Sequence, residues 1–179
     1  LDYGLAGNSF HLHSSLWDAK TDRALFHDPK AEHGMSALFR HYLAGQLACA
    51  REITYFYAPN INSYKRYQAG TFAPTKAVWA IDNRTSGFRV IGEGPSLRVE
   101  CRIPGADANP YLAFAAAIAA GLHGIERKLP LEPRMPAQVS QLRSTPVVVG
   151  TAKSLAGVCA GAACAAAGLP AAAPLAGSW

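Results

Sequence analysis

Acidic side chains are absent from the end of this 179-residue chain: all twelve lie at or before Glu132. Of the seventeen basic residues only Arg134, Arg143 and Lys153 follow, so residues 1–132 carry fourteen basic against twelve acidic ones and the formal charge of +5 overstates the charge of the body. A nearly neutral body excludes the broad basic face of a nucleic-acid-binding protein. Cysteine is sparse as well. Cys49, Cys101, Cys159 and Cys164 form no C-x-x-C pair, which argues against a thiol redox motif or zinc ribbon and favours a reduced, cytoplasmic setting. Cys49 and Cys101 fall at positions that read as buried core thiols. Long apolar runs are missing too: the longest, Tyr111 to Leu122, falls short of the ~20 residues that span a bilayer, so no membrane passage is expected. No secretory-signal pattern and no glycine-rich Walker loop is visible. The chain opens on Leu1 and is read as a piece of something longer.

What is present alternates between strand and helix signals. In Phe10–Leu16, His11, His13 and Ser15 share one strand face, with Phe10, Leu12 and Leu16 opposite. From about Gly34 to Tyr57 apolar residues recur at helical spacing, predicting one amphipathic helix. Asn60 to Pro74 carries turn chemistry without period and reads as a long ordered loop. Short strands follow near 78–82 and 88–91, separated by the turn-like Asn83–Gly87. Then Leu97–Ile103 alternates strictly, placing Arg98, Glu100 and Arg102 on one face and four apolar residues on the other. Asn109 and Pro110 read as the cap and first position of an Ala-rich helix with Leu112, Phe114, Ile118, Leu122 and Ile125 facing inward. These elements predict an α+β fold over residues 1–133, an antiparallel sheet backed by helices. Residues 134–179 form an Ala/Gly/Pro-rich tail, twelve alanines and one charge in its last 29 positions, which reads as disordered or as the product of a shifted reading frame.

Two histidines two apart on a strand face can approach one ion or one ligand together. A carboxylate flanked by Arg98 and Arg102 stays ionised and offers a hard oxygen ligand suited to Mg²⁺ or Mn²⁺. Arg66, Arg84, Arg89, Arg98 and Arg102 fall on loop and strand positions, where forked guanidinium contacts to carboxylate and phosphate are favoured. Metal ligands beside several arginines are what phosphoryl transfer to a carboxylate requires. An H-x-H metallohydrolase is the competing enzyme reading, but His27, His33, His41 and His123 stand in no supporting context.

Six blocks in order, A-G-N-S-F-H-L-H-S-S-L-W, N-S-Y-K-R, A-P-T, D-N-R-T-S-G-F-R, R-V-E-C-R-I-P and D-A-N-P-Y-L-A-F-A-A, resemble the signatures of the glutamine synthetase family across residues 6–127. The similarity is strongest to the branch that makes γ-glutamyl conjugates of larger amines. The resemblance implies ATP and a divalent metal as cofactors, glutamate and an amine or ammonium as substrates, and a ring-shaped homo-oligomer for the full-length parent. It assigns His11 and Glu100 as metal ligands, and His13, Ser14, Ser15, Arg84 and Arg89 to ATP. Glutamate falls to Ala6, Gly7, Arg66, Arg84 and Arg102, although the family commonly has Asn where Ala6 stands. Arg66, Arg84 and Arg102 are the catalytic set, with Arg98 in support.

The departure from pattern is Phe72, at the place where ammonia-using members carry the glutamate thought to deprotonate ammonium. A ring can line a pocket for an alkyl amine but cannot take its proton, which leaves Asp82 or a metal-bound water as candidate bases. The resemblance also implies an amino-terminal β-grasp domain and strands with further metal-binding glutamates, which no segment here supplies, so this piece alone is expected to be inactive. The readings that follow are an ATP-dependent glutamate–amine ligase, a true ammonia-using glutamine synthetase, or an inactive truncated family member.

Overall fold

The computed structural model describes residues 7–68 and 71–135. Ala6 and nearly all of the expected tail lie outside the described residues. Four short strands form one sheet in the order β1-β4-β3-β2: β1 (Leu12–Ser14), β2 (Trp79–Ile81), β3 (Phe88–Ile91) and β4 (Arg98–Cys101). β4 runs antiparallel to both β1 and β3, as the alternation suggested, but β2 and β3 are parallel, so the sheet is mixed rather than antiparallel. The reason lies in residues 82–87. Asp82 takes a left-handed conformation (φ 45°), and Asn83 Oδ1 accepts from the Thr85 amide at 2.8 Å. The loop then returns the chain to the start of β2, where the Phe88 amide donates to the Val78 carbonyl at 3.0 Å. A β-carbon on Gly87 would lie 2.6 Å from the Lys76 carbonyl oxygen, so the return demands glycine.

The expected helix over 34–57 is two: α1 (Ala37–Ala48) and α2 (Ala50–Tyr57), which share Cys49 as cap. Ser36 starts α1 by accepting from the Phe39 amide at 3.1 Å. Cys49 is half-buried, not buried, whereas Cys101 is fully enclosed. Phe39 stacks on Phe26 at 4.2 Å between centroids, and with Tyr42, Leu43, Tyr57, Phe88, Val99 and Ile103 they form the core between helices and sheet.

α3 (Pro110–Arg127) is capped as its sequence indicates, Asn109 Oδ1 accepting from the Tyr111 and Leu112 amides. Of the five residues expected to face inward only Ile125 packs against the core, and for the other four the orientation is reversed. Ala113, Ala116, Ala117, Ala120, Gly121 and Gly124 face the core, while Leu112, Phe114, Ile118 and Leu122 are 44–50% exposed. The cause is the closeness of α1: a β-carbon on Gly124 would sit 2.1 Å from the His41 carbonyl oxygen, and one on Gly45 2.1 Å from that of Ala120. Only small residues fit such a crossing. Beyond α3 the chain returns to the sheet, Trp79 Nε1 donating to the Glu132 carbonyl and the Met135 amide to that of Trp79. No helix among the described residues is long and apolar enough to cross a membrane.

Candidate active site

β4 lies between β1 and β3, so Glu100 is paired across the sheet with His13 on one side and Arg89 on the other. Directly paired residues project to the same side of a sheet, which gathers their side chains without any further device. Glu100 is only 4% exposed, and both of its oxygens are engaged. Oε1 accepts from Arg102 Nη1 at 3.0 Å and lies 3.1 Å from His11 Nδ1 and 3.7 Å from His13 Nε2; Oε2 accepts from Arg89 Nη1 at 3.2 Å. His11 and Glu100 therefore point to one side of the sheet. The solvated edge strand that alternation alone would also allow is not what forms, because β4 is paired on both sides and Glu100 and Arg102 are buried.

Burial works to raise the Glu100 pKa, but the Arg102 charge, the bonds from Arg89 and Arg102, and His11 outweigh it and hold the carboxyl below its ordinary value. His11 shifts downward, first through burial and then through the Arg102 charge, with Glu100 opposing. At neutral pH the pair is thus a carboxylate beside a neutral imidazole, the protonation states a divalent cation needs of its ligands. Their donor atoms, 3.1 Å apart, match the ~3 Å edge of an octahedron with ~2.1 Å bonds. The two fit a metal as part of a coordination sphere: among the described residues no group of three His, Cys, Asp or Glu is placed to hold one.

The arginines divide by what they hold. Arg102 is 5% exposed and spends every nitrogen inward, Nη1 on Glu100, Nε on the Arg84 carbonyl at 3.2 Å and Nη2 on the Phe72 carbonyl at 3.4 Å. Arg89 joins Glu100 to Asp82, donating to Asp82 Oδ1 from Nε at 3.1 Å and from Nη2. That pairing keeps the exposed Asp82 carboxyl below its ordinary pKa, which makes it a poor proton acceptor. The Arg84 side chain is exposed. Arg66 donates from Nη2 to the Ile103 carbonyl, which also receives the Tyr67 hydroxyl at 2.8 Å, and its guanidinium lies 4.8 Å from the centre of the Tyr67 ring. Arg66 Nε is buried without a partner. Gly7 lies beside it, where a β-carbon would meet Arg66 Cγ at 3.3 Å.

Among the ATP-assigned residues, His13 accepts from Arg98 Nε through Nδ1 at 3.3 Å, which leaves the proton of a neutral ring on Nε2, the nitrogen near Glu100. Ser15 accepts from Trp17 Nε1 at 3.0 Å. Ser14 is turned away from both: it shares the strand face of Leu12 and lies near the Tyr42 hydroxyl, on the helix side. Phe72 keeps its ring 72% exposed while Arg102 holds its carbonyl. Sequence reasoning missed Asp107, which accepts from Ser63 Oγ at 2.5 Å; an Asp in a G-A-D-A-N-P run offers no periodic signal by which to find it.

Comparison with known proteins bears on the arrangement. The glutamine synthetase catalytic-domain family matches residues 2–162. The gamma-glutamylethanolamide synthetase of Streptomyces coelicolor is 57% identical over 128 residues, 71% of this chain and 27% of that protein. Type-1 glutamine synthetase 2 of Dictyostelium discoideum is 44% identical over 72% of this chain and 25% of its own length. The glutamate–isopropylamine ligase of a Pseudomonas species is 46% identical over 69% and 27%. The chain spans about a quarter of the length of each of these relatives.

Proposed function

The chain belongs to the glutamine synthetase family, and from that premise we propose that it is the carboxy-terminal part of an ATP-dependent glutamate–amine ligase. The observation that carries the reading is the covered Glu100, ionised and held between two histidines and two arginines on one sheet face. In the reaction, an oxygen of the glutamate γ-carboxylate attacks the γ-phosphorus of ATP and the bond to ADP breaks. The amine nitrogen then attacks the acyl carbon, phosphate leaves, and the nitrogen gives up a proton. His11 and Glu100 would hold the divalent cation, which supplies charge neutralisation for the phosphates. Arg102 and Arg89 fix the Glu100 carboxylate by orienting bonds rather than by exposed charge, as groups behind a metal ligand do. His13, Ser15 and Arg84 serve ATP, and Arg66 with Gly7 serves glutamate; Arg89, with all three nitrogens on Asp82 and Glu100, supports the site from behind. In the full-length protein the sites belong to a homo-oligomer.

Phe72 supports an alkyl amine as acceptor. Its ring is free to line a pocket, its carbonyl accepts from Arg102, and Arg102 donates to Glu100, which ties the loop carrying the ring to the metal-ligand carboxylate. The names of two relatives, an ethanolamide synthetase and an isopropylamine ligase, favour the same class. The test is ATP-dependent phosphate release by the full-length protein with glutamate plus ethanolamine, isopropylamine, putrescine, spermidine or ammonium. Turnover with an alkyl amine well above that with ammonium is expected. Strong turnover on ammonium with none on the others would make it an ammonia-using enzyme, and no glutamate-dependent turnover would leave an inactive member.

A further inference from the structure

Resting on the reading in which Arg66 serves glutamate, we propose that Asp107 is a positioning residue that clamps the turn carrying Arg66. Residues Ile61–Arg66 form two turns of 3-10 helix, a conformation whose poorer hydrogen-bond geometry makes runs of this length uncommon without outside support. Arg66 contributes one bond, from Nη2 to the Ile103 carbonyl, while its Nε is buried without a partner.

The turn is instead gripped at both ends by one segment, residues 103–107. At its start the buried Ser63 hydroxyl donates to Asp107 Oδ2 at 2.5 Å while accepting from the Asn60 amide at 3.0 Å, and Asn60 Nδ2 reaches the same Asp107 oxygen at 3.5 Å. At its end Arg66 Nη2 and the Tyr67 hydroxyl converge on the Ile103 carbonyl. The gripping segment is itself anchored, the Gly105 amide donating to the Tyr57 carbonyl at 3.1 Å and the Ala106 amide to that of Asn8 at 3.2 Å. Glycine at 105 is part of the device, because a β-carbon there would sit 2.6 Å from Asp107 Oδ1 and push the carboxylate off Ser63. A hydroxyl donating to a carboxylate is a charge-assisted bond, stronger than the neutral bonds of the turn. Among the described residues the hydrogen bonds of Asp107 go to Ser63 and Asn60, so it acts on Arg66 through the turn.

In the full-length protein, Asp107→Ala should raise the KM for glutamate about tenfold while the KM for ATP and kcat move less than about twofold. Asp107→Asn retains an acceptor for Ser63 and should stay within about threefold of the parent. Ser63→Ala should match Asp107→Ala, and the double variant should be no worse than either alone. Backbone hydrogen exchange at 61–66 should quicken in Asp107→Ala and not in Asp107→Asn. Equal shifts for both substrates, no rescue by Asn, or additive single variants would overturn the clamp. If the protein shows no glutamate-dependent turnover, hydrogen exchange decides alone: unchanged protection in Asp107→Ala removes the clamp, and faster exchange keeps it while the assignment of Arg66 to glutamate falls.

Discussion

Glu100 holds together more than a cation. The loss of a metal ligand alone would cost turnover and spare the fold, but the Glu100 carboxylate also neutralises Arg102, itself almost wholly covered, and Arg89. Removing one partner of such a group costs about 3–5 kcal/mol, so Glu100→Ala should also lower the unfolding midpoint sharply. Glu100→Gln keeps shape and an acceptor; it should retain a folded protein in thermal unfolding while losing turnover and metal affinity, and normal metal dependence in that variant would remove Glu100 from the ligand set. Arg102→Lys can replace one of three bonds. It should therefore impair the response to both glutamate and ATP, with a lowered melting temperature, rather than glutamate alone. Cys101 gives an independent check of packing: burial pushes its thiol up to about 12, so alkylation at pH 8 should leave it unmodified until denaturant is added, whereas half-buried Cys49 should react before it. At this scale the sequence was informative where period determines facing. Arg98, Glu100 and Arg102 shared a face because strands alternate, and by the same rule Ser14 could be seen to oppose His13 and Ser15. The partners of Asp107 were invisible, since they come from a turn 44 positions away.

Helix α3 shows how an element can be located correctly and oriented wrongly. Its cap, start and end follow from Asn109, Pro110 and the basic residues at its close, yet two candidate stripes run along it, one of large residues and one of alanine and glycine. Periodicity cannot choose between them. The choice is made by α1, where Gly45 and the His41 carbonyl approach so closely that only the small stripe fits. Gly124→Ala should accordingly destabilise the protein by about 1–3 kcal/mol through overpacking, although alanine gains ~1 kcal/mol of helix propensity over glycine. Thermal unfolding would measure it, and a raised midpoint would mean that the crossing yields. The same blindness to tertiary contact explains the break at Cys49, where no glycine or proline announces an end, and the parallel pairing of β2 with β3, since turn-forming residues signal a change of direction but not its angle.

On the scale of the whole molecule, the outward face of α3 stands out, with Leu112, Phe114, Ile118 and Leu122 half-exposed. Residues 1–135 produced alone should self-associate through such apolar surface, and Phe114→Glu with Ile118→Glu should reduce the association in light scattering. The sheet has a temporal consequence too. Arg89 meets Asp82 and Glu100 across 7 and 11 positions, whereas Arg98 meets His13 across 85. Closing the longer loop costs more entropy and slows the search, so the arginine side of the site should assemble early and the histidines should arrive late. Pulse-labelled hydrogen exchange during refolding should find Phe88–Ile91 protected before Leu12–Ser14. A nascent or partly unfolded chain would then hold Glu100 against its arginines while still lacking the imidazoles, which makes the last step of folding also the step that creates the ability to grip a cation.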